Sequence, residues 1–245
     1  MAESIEEFFA DDRLTDSNLR NSAVCLRKCL EGKTTTQDTA QSIMDTAKAV
    51  SLSEVLDECI IRAAEQLPES HYVLTELVIQ LRSQHQHISE EVVTKFDHYL
   101  IMSFGERWAR YGDPDPQDAW KEQARTEWIN LNHFVALLFS AGVNTLSNFG
   151  EQSLKMTLKR GSWRVNWTGQ ENTSDSIIAL EGHAMAAANW IIVSGRQLYE
   201  NCSDVRTEFA TLHANLTWII ELDGLNSDIK SKLQEAKTTM DKIRA

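Results

Sequence analysis

Residues 118–141 read DAWKEQARTEWINLNHFVALLFSA. At roughly 100° per residue, Trp128, Leu131, Val135, Leu138 and Phe139 share one face of a helix, so this stretch predicts a long amphipathic helix. Asn132 falls between Trp128 and Phe139 on that same face, while Asn130 and His133 project to the other side. A buried amide without partners costs about 1–3 kcal/mol. Asn132 therefore either bonds the backbone of a neighbouring helix, or points into a pocket where it orients a ligand.

The same period recurs on both sides. Helices are expected from Asp16 or Ser17 to Leu30, ended by Gly32, and from about 36 to 50. Others are expected after Ser51, over 71–86, from Ser89 to Tyr111, over 145–160, and over 174–200, 203–222 and 226–244. Strict alternation of apolar and polar residues is not sustained anywhere, and only three prolines and ten glycines occur in 245 residues. The expected fold is all-α, a single multi-helix globular bundle of about nine helices. Its expected centre is formed by the helices at 89–111, 118–141 and 174–200. The run Gly112-Asp113-Pro114-Asp115-Pro116 cannot continue a helix. It is read as a sharp turn inside one domain, residues 1–245. The alternative is a boundary between an N-terminal helical part, 1–111, and a C-terminal one, 117–245.

A formal net charge of −12 repels phosphate backbones and anionic lipid, which argues against nucleic acid and membranes as partners. No stretch approaches the roughly 18 apolar residues of a membrane span, and the acidic start, Met-Ala-Glu-Ser-Ile-Glu-Glu, lacks the apolar core of a signal peptide. A cytoplasmic location follows as an expectation. Four sequons, at Asn166, Asn172, Asn201 and Asn215, then stay unmodified. Cys25 and Cys29, one helical turn apart in an apolar stripe, read as reduced, packed thiols.

Three features carry candidate chemistry. Asn132 is the first. The second is the helix over 174–200, whose stripe runs Ile177, Leu180, Ala184, Ala188, Ile191 and Gly195. Glu181 is read as lying inside that stripe, either in an ion pair or protonated by desolvation and able to donate a proton. His183 and Trp190 flank it. The third is the irregular segment Gly161–Gly169, where Trp163 and Trp167 either close over an apolar ligand or pin the connection to the core. Phosphate-binding glycine loops, a nucleophile elbow and the H-E-x-x-H zinc motif have no counterpart, so no cofactor and no metal are expected. Asp11, Asp12 and Asp16 look like helix-start residues rather than an aspartate-rich metal motif.

The motif Trp128-x-Asn130-Leu131-Asn132-x-Phe134, a shorter helix near Phe149–Lys159, and Ala186-Ala187-Ala188-Asn189-Trp190-Ile191 with Gly195, Leu198 and Tyr199 together resemble a fungal family of helical proteins of unknown function. Some of its members are encoded beside natural-product genes. The resemblance covers roughly 105–200. Where the family's middle helix carries a tryptophan, an arginine and a glutamate, this chain has Gln152, Lys155 and Lys159. Gln152 in place of an indole opens space or sets an amide in it.

Two functions remain open at this level. One is a cofactor-free cyclase or isomerase, pericyclase-like, acting on an apolar fungal natural-product intermediate. There, ordering a flexible substrate lowers the barrier by several kcal/mol, about 7–11 at most. Glu181, Asn132 and Gln152 would be its polar catalytic groups. Trp128, Phe139, His183, Trp190, Trp163 and Trp167 would form its walls. The other is a non-catalytic helical scaffold or protein-interaction module, with a homodimer among its possible assemblies.

Overall fold

The computed structural model describes residues 2–15, 19–46, 52–86, 90–111, 121–159 and 174–244. Every regular element among them is helical, as the period of the sequence requires. The chain clusters into two compact units, Met1–Arg110 and Tyr111–Ala245. The Pro114–Pro116 run lies outside the described residues.

The first unit opens with two short helices that periodicity did not predict, α1 (Ala2–Phe9) and α2 (Asp12–Thr15). Asp12 does begin a helix, as expected. Then follow α3 (Arg20–Leu30) and α4 (Thr36–Thr46). The Lys33 amide donates to the Lys28 carbonyl and that of Gly32 to Cys29, with Gly32 at φ 70°. This is the left-handed helix stop that Gly32 announced in the sequence.

The next helix changes type along its length: α5 (Leu52–Glu54), a π-helix over Val55–Ile61, then α6 (Arg62–Gln66). A π hydrogen bond reaches one residue further than an α bond, so each residue turns through a smaller angle. Val55, Leu56, Cys59, Ile60 and Ile61 are thereby gathered inward, all fully buried. Burial pushes the Cys59 thiol up to about 12. Leu67, with φ −122° and ψ 70°, leaves helical geometry because Pro68 follows it. A short 3₁₀ turn, Pro68–Ser70, leads into α7 (His71–Gln86) and then α8 (Glu90–Tyr111). His71 is wholly buried, and its Nε2 lies 2.7 Å from the Ala64 carbonyl oxygen. A carbonyl only accepts, so Nε2 carries the proton.

Two arginines tie this unit together. Arg62 bonds Asp11, approaches Glu58 at 3.9 Å, and stacks 5.9 Å above the Phe8 ring. Arg82 grips buried Asp97 with two bonds, at 2.8 and 2.9 Å. The Arg62 guanidinium, helped by the Arg13 amide, holds the Asp11 carboxyl below the usual carboxylate range.

The second unit holds α9 (Lys121–Ser140), α10 (Ser147–Leu154), α11 (Ser174–Asn201), α12 (Ser203–Ile220) and α13 (Ser227–Arg244). α11 is its axis, packed along α9 and along α13. Leu131, Phe134, Val135, Leu138 and Phe139 of α9 are fully buried, as are Leu180, Ala184, Ala188, Trp190 and Leu198 of α11. α8, expected beside them at the centre, clusters through Arg110 with the first unit instead.

The single helix read at 145–160 resolves into a 3₁₀ turn at Asn144–Leu146, α10, and a π turn at Lys155–Lys159. α11 breaks its regularity at Ser194 (φ −139°, ψ 16°). There the Ser194 hydroxyl donates 3.1 Å to the Trp190 carbonyl, a back-bond of the kind that bends helices.

Candidate functional site

Asn132 is the hub of the second unit. It is completely buried. Its Nδ2 donates to the Trp128 carbonyl one turn back, at 2.9 Å. Its Oδ1 accepts from Ser153 Oγ of α10 at 3.1 Å and from Trp190 Nε1 of α11 at 2.9 Å. One amide thus joins three helices. The two lone pairs of its oxygen and the single N–H of the Trp190 indole are consumed inside the protein.

Aromatic contacts extend the hub. Phe139 lies 6.0 Å from Trp190 at 52°, and His183 meets Trp128 edge-on at 5.9 Å and 70°. The geometry suits ring quadrupoles and adds about 0.5–1.5 kcal/mol per pair. The Trp190 ring is seated in a notch made by an absent side chain. A Cβ on Gly150 would stand 2.6 and 2.8 Å from two of its carbons, closer than any real contact.

Further amides and hydroxyls lace the same helices. Asn189 donates to the Ile129 carbonyl at 3.2 Å, and Gln197 to those of Phe139 at 3.0 Å and of the Asn144 side chain at 3.2 Å. The π turn is held on two sides. Thr157 donates 2.9 Å to the His183 carbonyl, and Asn215 of α12 donates to the Leu158 carbonyl. Lys155 bonds both Glu151 and Asp204.

Five of the nine residues singled out in the sequence, Trp128, Asn132, Phe139, His183 and Trp190, therefore form one connected cluster. Of the other four, the two that are described, Gln152 and Glu181, lie elsewhere. Gln152 is exposed, which corrects its expected place in a pocket: α10 buries Phe149, Gly150, Ser153 and Leu154, and position 152 lies on the opposite side. Glu181 is half-buried at the edge of its stripe. Its Oε1 accepts the Asn226 amide at 2.8 Å, just before α13. Asn226 Oδ1 in turn accepts the Asp228 amide at 2.8 Å. The carboxylate is thus a brace at a helix start, where negative charge is favoured. Trp163 and Trp167 lie outside the described residues.

Asn130, read as projecting to the side of α9 away from Trp128, is itself buried. His133 is half-buried, and its pKa is lowered, first by burial and then by the charge of Lys232 on α13. Ser153, Thr157, Asn189 and Gln197 were not anticipated. Ser153 was findable as a small polar residue on the Phe149–Leu154 face. Nothing in the sequence marks the others. Among the described residues no group of three His, Cys, Asp or Glu side chains is placed to hold a metal ion.

Residues 58–226 match the profile of a family described as proteins of unknown function, DUF3632. The chain belongs to that family. No curated protein and no solved structure matches it. The span shared with DUF3632 starts inside the π-helix at 55–61 and closes at Asn226, so it contains the whole Asn132–Ser153–Trp190 hub and stops before α13. Among the described residues, no helix is long and apolar enough to cross a membrane.

Proposed function

We propose that this protein is a non-catalytic helical interaction module. The observation that carries the reading is on the first unit. The exposed large apolar side chains among the described residues are Val24, Tyr72, Tyr99 and Met102, with Tyr72 at 72% and Met102 at 51%. Tyrosine and methionine are side chains that interfaces favour, and Tyr99 and Met102 sit one turn apart on α8. The second unit supports the same reading from the other direction. Asn132 answers protein groups, Glu181 braces α13, and Gln152 is exposed, which supports a role without chemistry for these three polar groups.

A second reading is favoured by the convergence of Trp128, His183, Asn132, Trp190 and Phe139 in one cluster. It is the cofactor-free cyclase or isomerase acting on an apolar fungal natural-product intermediate, held among those rings. One experiment separates the two. The protein is incubated with a panel of linear polyene and polyketide-like carbonyl precursors, and products are quantified by chiral chromatography against protein-free controls. The module reading expects identical rates and stereochemistry with and without protein. Turnover that His183→Gln or Trp128→Phe abolishes, with the melting curve preserved, overturns it in favour of the cyclase.

A further inference from the structure

α8 is two-faced. Phe96, Leu100 and Phe104 are buried, together with Asp97 and Ser103. On the outer side stand His98, Tyr99, Met102 and Glu106, all exposed, with Gly105 between the last two. Nothing lies within 4 Å of where a Gly105 side chain would begin. His98, Met102 and Glu106 are spaced i, i+4, i+8, so they form a single ridge along the helix, apolar at its middle and of unlike character at its ends.

A ridge of this kind is self-complementary under a two-fold axis. When two helices cross at about −50°, their i±4 ridges run alongside each other. If the second helix is a copy of the first running antiparallel, with the axis at Met102, then Met102 meets its own copy. Each His98 meets Glu106 of the second copy. That places a carboxylate against an imidazole twice, and Met102 against a thioether able to fit an irregular seam. Gly105 leaves no side chain to hold the backbones apart, and Tyr99 covers one flank of the seam. Reversal of either helix, or a slip of one turn, sets Glu106 against Glu106 or strands it.

We propose that the outer face of α8, His98–Tyr99–Met102–Glu106, is a docking surface for a second copy of this chain, joined antiparallel about a two-fold axis through Met102. The proposal rests on the interaction-module reading and names its partner. The contact is isologous and closed, so it yields dimers and not filaments.

The register makes a sharp test on the full-length chain. Met102→Cys puts a thiol on the axis, against its own copy. His98→Cys puts two thiols eight residues apart along the seam, about 12 Å at 1.5 Å per residue, beyond the ~7 Å Cα separation a disulfide spans. Both variants and the wild type, which carries the four native cysteines, are oxidised with copper phenanthroline and run on non-reducing gels. Covalent dimer is expected for Met102→Cys well above the wild-type background and not for His98→Cys.

Sedimentation of the untagged protein adds the charge test. Glu106→Lys should move half-dimerisation to a roughly tenfold higher concentration, since the carboxylate that faces each His98 imidazole is lost at two symmetric sites. His98→Glu combined with Glu106→Lys should bring it back. A Met102→Cys variant that cross-links no better than wild type, equal cross-linking at position 98, or a double variant as weak as the single one overturns the proposal. None of these outcomes touches the turnover assay, so the interaction-module reading stands or falls separately.

Discussion

Each unit is held together internally by its own chemistry. The first relies on formal charge: Arg62 between Asp11, Glu58 and the Phe8 ring, and Arg82 clamped on Asp97. The second carries its ion pairs, such as Lys155 with Glu151 and Asp204, where water reaches them, and its buried hub relies on neutral groups: an amide, an indole and a hydroxyl at Asn132, Trp190 and Ser153, with further amides on carbonyls. Charged ties answer to salt and pH, and lose strength where water reaches them. Neutral ties do neither. They demand exact shape, because a missing partner leaves an unpaired polar group in a dry interior. A net charge of −12 therefore says little about what holds the buried hub of the second unit.

The largest break should come from Trp190→Ala, which removes a fully buried indole and leaves the Asn132 oxygen with Ser153 alone of its two donors. A loss of about 3–5 kcal/mol is expected in urea unfolding followed by far-UV circular dichroism. Arg82→Met should follow. It leaves Asp97 buried without its guanidinium, and about 2–3 kcal/mol is expected. That is below the 3–5 of fully buried pairs, because the Arg82 side chain is 22% exposed. Asn132→Leu keeps the volume and orphans the Trp190 N–H, for about 1–3 kcal/mol.

Salt sharpens the comparison. At about 1 M, where the Debye length shrinks to ~3 Å, the Arg82→Met penalty should shrink while that of Asn132→Leu stays put. Equal response of the two would show that one chemistry holds both units.

The smallest effect concerns His133. Burial, and then the charge of Lys232, hold its folded pKa below the ordinary histidine value of 6.5, so the unfolded chain binds the proton first. Stability is therefore retained above about pH 6.5 and declines as pH falls through the window below it. His133→Gln should flatten that part of the stability profile by less than about 1 kcal/mol. A steeper profile in the variant would contradict the sign.

Much of this was legible in the sequence. Periodicity put Trp128, Asn132 and Phe139 on one face of α9, and Gly32 marked a helix end, because both depend on neighbours within a turn or two. Partners across helices were not legible. Trp190 reaches Asn132 over 58 residues, and no spacing rule supplies the register of one helix against another. Within the π turn at 155–159 each residue turns through a smaller angle than the α-helical period assumes, which hid the role of Thr157. α1 escaped because eight residues are too few for a periodic signal to stand out. Glu181 was misjudged for a different reason. It lies at the margin of its stripe, where a few tens of degrees decide between oil and water, and the Asn226 amide settles the matter. Gln152 was placed by a resemblance when the amphipathic pattern of α10 alone would have turned it outward.

The notch at Gly150 reaches beyond stability. A side chain there and the Trp190 ring compete for one volume, so neither position is free to drift alone. Gly150→Ala should be tolerated poorly beside tryptophan and readily beside Trp190→Phe, giving a coupling well above the 0.3–0.5 kcal/mol scatter of independent sites. Among relatives, the two positions are expected to change in step, a larger residue at one accompanying a smaller at the other. Such paired exchange would write the contact between α10 and α11 into the family's history.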